Sequence, residues 1–171
     1  MASIMNSPIN KTTLYLCIIF SFFLASCSNS NSGQQNEVPS LPFQTVESAN
    51  IYPSQVTGGL YIIRSISEWS NFWSVLKASY TPQPPLPSVN FTENVVIAVV
   101  DSPRPTGGYS ITITSVQTSS TGAIVQAVHQ SPGQNCMVTQ AFTQSDHIIT
   151  APTFSGEATL NLTEIVQDCA S

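Results

Sequence analysis

Val95-Val96-Ile97-Ala98-Val99-Val100-Asp101-Ser102-Pro103-Arg104-Pro105-Thr106-Gly107-Gly108-Tyr109-Ser110-Ile111-Thr112-Ile113-Thr114 sets two kinds of strand on either side of one turn. The first six residues are apolar without interruption and of strand length, the pattern of a strand buried on both faces. After the turn, Tyr109, Ile111 and Ile113 alternate with Ser110, Thr112 and Thr114, the pattern of a strand with one wet face. Between them, Pro103 and Pro105 restrict φ, while Gly107 and Gly108 permit positive φ and close backbone approach.

Downstream the strand grammar continues. Ser119-Ser120-Thr121-Gly122 turns the chain, and Ala123-Ile124-Val125-Gln126-Ala127-Val128-His129 returns as a hairpin partner. Three further strands are predicted at Cys136-Met137-Val138-Thr139-Gln140-Ala141-Phe142, at His147–Ala151 and at Ala158–Thr163. Upstream, Leu60-Tyr61-Ile62-Ile63 follows Gly58-Gly59 as a first strand. Ser65-Ile66-Ser67-Glu68 has the form of a capping box, and Ile66, Trp69, Phe72, Trp73 and Leu76 fall on one helical stripe. The stripe is read as the core contact of a helix rather than a carbohydrate platform. Thr81-Pro82-Gln83-Pro84-Pro85-Leu86-Pro87 ends that helix in a rigid extended connection. The predicted fold class is α+β: an N-terminal amphipathic helix packed on a mostly antiparallel small β-sandwich or open barrel.

The N-terminus speaks of export. Leu24-Ala25-Ser26-Cys27 closes an apolar run from Leu14 to Leu24, behind Lys11. A run of that length suits a signal-peptide core and falls short of the roughly 20 residues of a membrane span. The tetrapeptide reads as a bacterial lipobox, with cleavage before Cys27 and lipidation of its thiol. The alternatives are a secretory signal with an incidental cysteine, or a short anchor helix. Residues 1–26 are thus expected to be a signal peptide and 27–50, rich in Ser, Asn and Gln, a flexible tether. The globular domain is expected over 51–171. Ser28 lacks the aspartate of inner-membrane retention, so the expected location is the cell envelope, lipid-anchored at the outer membrane.

Composition narrows the partners. Only 8% of the residues are charged, four Lys+Arg against nine Asp+Glu, which excludes a phosphate-binding footprint and with it nucleic acid. Beyond Cys17 and Cys27, Cys136 and Cys169 are left as a pair; in an oxidising compartment they are expected to bridge, the alternative being two free buried thiols.

Glu93–Ile111, with its buried strand and Pro105-Thr106-Gly107-Gly108-Tyr109-Ser110 turn, resembles the C-terminal domain of the PrcB family. The resemblance runs from about Ile66 to Val166, with one departure at Ser145-Asp146, where the family pattern has a proline. It implies an envelope lipoprotein that associates with or stabilises another protein, a protease being the suggested one, and it does not imply an enzyme. Arg104, Pro105, Thr106, Gly107, Gly108 and Tyr109 are then read as a partner-binding loop, against the plainer reading of a turn chosen for geometry alone. A fainter similarity, on Pro105, Thr106, Gly107 and Tyr109, is to chagasin-like protease inhibitors.

Catalytic chemistry is thin in this sequence. His129 and His147 form no His-x-x-x-His pair, and no Gly-x-Ser-x-Gly elbow is present. Gly107-Gly108 lacks the Lys and helix of a phosphate loop. Glu157, Glu164 and Asp168 show no acid–base pairing along the chain. No catalytic residue, no metal ligand set and no cofactor are therefore expected; the histidines are read as satisfied polar groups on strands.

Overall fold

The computed structural model describes residues 39–169. The expected signal peptide, the expected lipidation site at Cys27 and most of the expected tether lie outside them. In chain order the elements are β1 (Ser40–Leu41), β2 (Gln44–Ile51), β3 (Gly59–Ile63), α1 (Ile66–Leu76) and β4 (Asn94–Val100). They continue with β5 (Ser110–Ser119), β6 (Gly122–Pro132), β7 (Gln144–Pro152) and β8 (Glu157–Gln167). Two four-stranded sheets result, ordered β1-β5-β6-β8 and β2-β7-β4-β3. They pack face to face and do not close, so the sandwich reading holds and the barrel alternative falls.

Strand β4 explains its own composition. Val95, Ile97 and Val99 point into the sandwich, against Ile111, Ile113, Val116 and Val125 of the other sheet. Val96, Ala98 and Val100 point the opposite way, against Trp69, Trp73 and Leu76 of α1. A central strand with protein on both sides has no wet face, hence no polar alternation.

Helix α1 starts as its sequence specifies. The Ser65 hydroxyl accepts the Glu68 amide at 3.2 Å, while the Glu68 carboxylate accepts the Ser65 amide at 3.1 Å. Trp69, Trp73 and Leu76 are buried, whereas Ile66 at the stripe's start is exposed. Both indole N–H groups are satisfied by the proline-rich connection, Trp69 by the Pro87 carbonyl at 2.9 Å and Trp73 by that of Pro84 at 3.1 Å. Indoles buried this way present no face to a sugar.

Two expectations need correction. Ordered structure begins before residue 51: β1 and β2 lie inside the segment read as tether, and β2 pairs antiparallel with β7 from Gln44↔Thr150 to Ile51↔Gln144. Its polar residues belong to an edge strand, while Leu41, Phe43, Val46 and Ala49 reach the two cores. Cys136–Phe142 is not a strand, because its polar groups serve the neighbouring loop, as described below. The mostly antiparallel pairing holds, β8 against β6 being the one parallel pairing among the described strands.

Two polar residues sit on opposite faces of β7 and make stability depend on pH in opposite senses. Asp146 faces α1, buried beside Lys77, whose ammonium pairs with Glu47 and lies 3.9 Å from Asp146. Burial pushes the Asp146 carboxyl up to about 7, with Lys77 opposing. Its folded form therefore holds a proton that the unfolded chain has released, so stability falls as pH rises from about 4 to 7. His147 faces the other sheet, where its Nδ1 accepts the Ile113 amide at 2.8 Å beside the register shift in β5. Burial holds this imidazole below the usual histidine value. The unfolded chain takes up its proton first as pH drops below about 6.5, so stability falls in that direction. Asp146→Asn is expected to leave the acid limb and remove the alkaline one. Relative to wild type it gains about 1–3 kcal/mol between pH 5 and pH 8, read from melting curves at both. An unchanged difference at the two pH values would show that Asp146 is ionised throughout.

Candidate functional site

The connection from β4 to β5 crosses from one sheet to the other, and its charged residues turn inward. Asp101 accepts a bidentate fork from Arg104, Nε at 2.9 Å and Nη2 at 2.8 Å, and also the Ser102 amide at 2.7 Å. The guanidinium lies 5.1 Å from the Tyr109 ring centroid, and Tyr109 stacks on His129 at 6.0 Å. His129, nearly enclosed, has Nε2 at 3.1 Å from Asp101 and Nδ1 at 2.5 Å from Glu164 on β8. Carboxylates face both ring nitrogens, and Arg104 Nη2 lies 3.3 Å from Nε2. Burial pushes the Asp101 carboxyl up, but the Arg104 fork, His129 and the Ser102 amide outweigh it and leave the group below the ordinary aspartate value.

The network joins the β4–β5 loop, β6 and β8. The partners of His129 are two acids and a guanidinium, which suits a structural strut holding the end of the sandwich. Sequence spacing hid it: Asp101 and Arg104 share one loop, but His129 and Glu164 come from β6 and β8, and Glu164 has no acid–base partner nearby in the chain. Among the described residues, no group of His, Cys, Asp and Glu is placed to hold a metal ion. Two clefts, of about 360 Å³ near Phe43 and Asn94 and about 430 Å³ near Gly122 and Glu157, lie away from the loop and gather no acid–base pair.

The glycine turn lies along the chain's own 133–143 segment. Arg104 and Thr143 exchange backbone hydrogen bonds at 2.8 and 3.0 Å, the Gly107 amide donates to the Thr139 carbonyl at 3.0 Å, and the Thr143 hydroxyl donates to the Thr106 carbonyl at 2.7 Å. A Cβ on Gly107 would stand 2.3 Å from the Thr139 hydroxyl, and Gly108 has φ +89° with Val138 2.9 Å from its ideal Cβ. Both glycines thus serve close approach within the domain. Ser145, at the departure from the family pattern, donates its hydroxyl to the Tyr109 carbonyl at 2.8 Å and its carbonyl accepts the Asp101 amide at 2.8 Å.

Of the six loop residues singled out from sequence, Gly107 is buried, Arg104, Thr106 and Tyr109 are half-buried, and Pro105 and Gly108 are exposed. The supporting segment contributes what the sequence reading missed. Met137 is fully exposed and Phe142 is 66% exposed, on either side of the Thr139 contact. This segment is fastened at its start by the Cys136–Cys169 disulfide, with Cα atoms 5.1 Å apart, and at its end by Thr143. The strand expected over Cys136–Phe142 gave Met137 and Phe142 no role of their own. The signal against that was Cys136 itself, since a bridge to the chain end holds a segment without a ladder.

Residues 95–150 match the family model described as PrcB C-terminal, which supports a PrcB-like assignment. The matched span covers β4 to β7 with the glycine turn and the Met137–Phe142 segment; α1 and β8, included in the resemblance seen in the sequence, lie outside it. No curated protein and no solved structure matches the chain.

Proposed function

We propose that this PrcB-like chain is a non-enzymatic, lipid-anchored subunit of an envelope protease complex, docking on its partner through Met137 and Phe142 with Pro105 and Gly108 beside them. One observation carries this reading. Two large apolar side chains are held in solvent on a segment that a disulfide and backbone hydrogen bonds keep from collapsing. A free loop would fold such side chains onto the surface; a braced one keeps them available to a partner. Desolvated aromatic anchors commonly dominate interface energy, so Phe142 is the expected centre.

Anchoring enters through Cys27, and Ser28 favours the outer membrane. A mature N-terminus at a diacylated or triacylated Cys27, read by mass spectrometry, is the expected result; cleavage elsewhere would remove the anchor from this reading. An inhibitor with a chagasin-like loop would insert the glycine turn into a cleft. Here the Gly107 amide is already bonded to Thr139, which favours docking alongside a partner.

The test is co-purification with the envelope protease, comparing wild type with Phe142→Asp and Met137→Asp. Each substitution is expected to cut recovery of the protease at least tenfold while leaving the melting temperature within about 2 °C, because both side chains are exposed. Full recovery with both variants would overturn the assignment of this surface. Slowed cleavage by a protease incubated with the purified chain would instead support the inhibitor.

A further inference from the structure

The outer edge of β8 has the geometry of a second interface. Among the described residues β8 pairs with β6 alone, through an unbroken parallel register from Gly122↔Glu157 to Pro132↔Gln167. The other sheet edges are managed: β1 is two residues long, β3 is five, and β2 carries a register shift between Thr45 and Glu47. β8 has eleven residues, with no proline, no lysine and no register shift. Long, regular, unprotected edges are those that recruit another strand.

Backbone direction can be followed along it. The Gln167 carbonyl accepts the Gly133 amide at 2.8 Å and the Ile165 carbonyl accepts the Ser131 hydroxyl at 3.3 Å, so these two face β6. By alternation, the amides and carbonyls of Leu160, Leu162, Glu164 and Val166 point outward. The side chains are open as well: Leu162 is 39% and Val166 65% exposed. Charge on this edge has one sign, with Glu157, Glu164 and Asp168 along it and no Lys or Arg in the sequence after Arg104.

We propose that β8 accepts an extended, lysine- or arginine-bearing segment of a partner polypeptide as a fifth strand of its sheet. Main-chain hydrogen bonds to Leu160, Leu162, Glu164 and Val166 supply the pairing. Leu162, Glu164 and Val166 share one face, with Asp168 following, so along that face the guest strand's side chains alternate apolar against Leu162 and Val166 with cationic against Glu164 and Asp168. A second copy of this chain is the poorer occupant, because it brings the same acids and a like formal charge of −5 to the edge. This edge is separate from the Met137–Phe142 surface and does not depend on it.

A library of seven-residue peptides of the pattern Val-Thr-Lys-Thr-Val-Thr-Lys, which sets valine and lysine in turn on one face, is titrated by fluorescence anisotropy against the full chain in detergent. Matched peptides with glutamate for lysine serve as the comparison. Hydrogen exchange is followed on the free and peptide-loaded chain. Expected are binding of basic peptides at least tenfold tighter than acidic ones, and new protection of the Leu160, Leu162 and Glu164 amides on loading. Leu162→Pro, which removes an outward amide, and the double variant Leu162→Lys with Val166→Lys, which keeps the backbone, are each expected to weaken binding at least tenfold. In contrast, Phe142→Asp is expected to leave it unchanged, which separates this result from the fate of the loop surface. The proposal is overturned by the absence of any basic binder, by equal binding of acidic peptides, or by protection elsewhere. It is overturned too if the edge amides are already protected in the free chain, whether by its own N-terminal segment or by a second copy in sedimentation.

Discussion

Replacing Cys136 and Cys169 together by serine is expected to lower the unfolding free energy by about 3–4 kcal/mol, measured by denaturant titration. The bridge closes a loop with a sequence separation of 33, and loop-closure entropy in the unfolded chain sets that scale. The functional consequence is larger than the thermodynamic one. Without the bridge the 133–143 segment keeps only its bonds to the glycine turn, at Thr139 and Thr143. Met137 is then tethered from one side, and the ordering cost of docking shifts from folding to binding. On the proposed docking through Met137 and Phe142, recovery of the partner is expected to fall severalfold at temperatures where the double variant is still folded. Reduction of the wild-type protein should reproduce both effects. A loss below about 1 kcal/mol would show that the segment holds its shape through hydrogen bonds alone.

Trp69→Ala is expected to cost about 3–5 kcal/mol, the range for emptying a large aromatic site in a core. Trp69 is fully buried between α1 and the β2-β7-β4-β3 sheet. Its ring lies 6.1 Å from Phe72 in a stacked arrangement and 5.2 Å from Trp73 in a tilted one. Its indole N–H is also the donor for the Pro87 carbonyl. Alanine removes packing and donor together, so the proline-rich connection loses one of its two indole anchors. Trp69→Phe keeps most of the packing and isolates the hydrogen bond, with an expected loss of about 1–2 kcal/mol. Thermal melts of the two variants separate the contributions; equal losses would mean the ring's volume counts for little. Since small domains have only about 5–15 kcal/mol in total, the alanine variant should be partly unfolded at 37 °C.

Local features survived the passage from sequence to structure. The capping box at Ser65 and Glu68, the two buried tryptophans, the doubly buried β4 and the β5–β6 hairpin all stand where their patterns placed them. So does the Cys136–Cys169 bridge. Both histidines are satisfied polar groups on strands, His147 between sheets and His129 among acids. The misses share one cause. Strand β2 is polar along its exposed side, and its partner is about a hundred residues later, at Gln44↔Thr150. The direction of β8 depends on which neighbour it finds, which side-chain alternation does not encode. Likewise, the backbone partners of the glycine turn, Thr139 and Thr143, come from a segment well beyond it in the chain.

Periodicity, caps and cysteine count state what each segment needs: a face to bury, a terminus to satisfy, a thiol to pair. They determined here that the chain is a helix on strands, braced by a disulfide and poor in catalytic groups. Which partners meet those needs is a property of distant segments brought together. Only the tertiary structure could bring Asp101, Arg104, His129 and Glu164 into one network, leave Met137 and Phe142 in water, and, among the described residues, pair β8 on one side alone. Burial is a local demand of each side chain, whereas contact is a choice made by the whole chain.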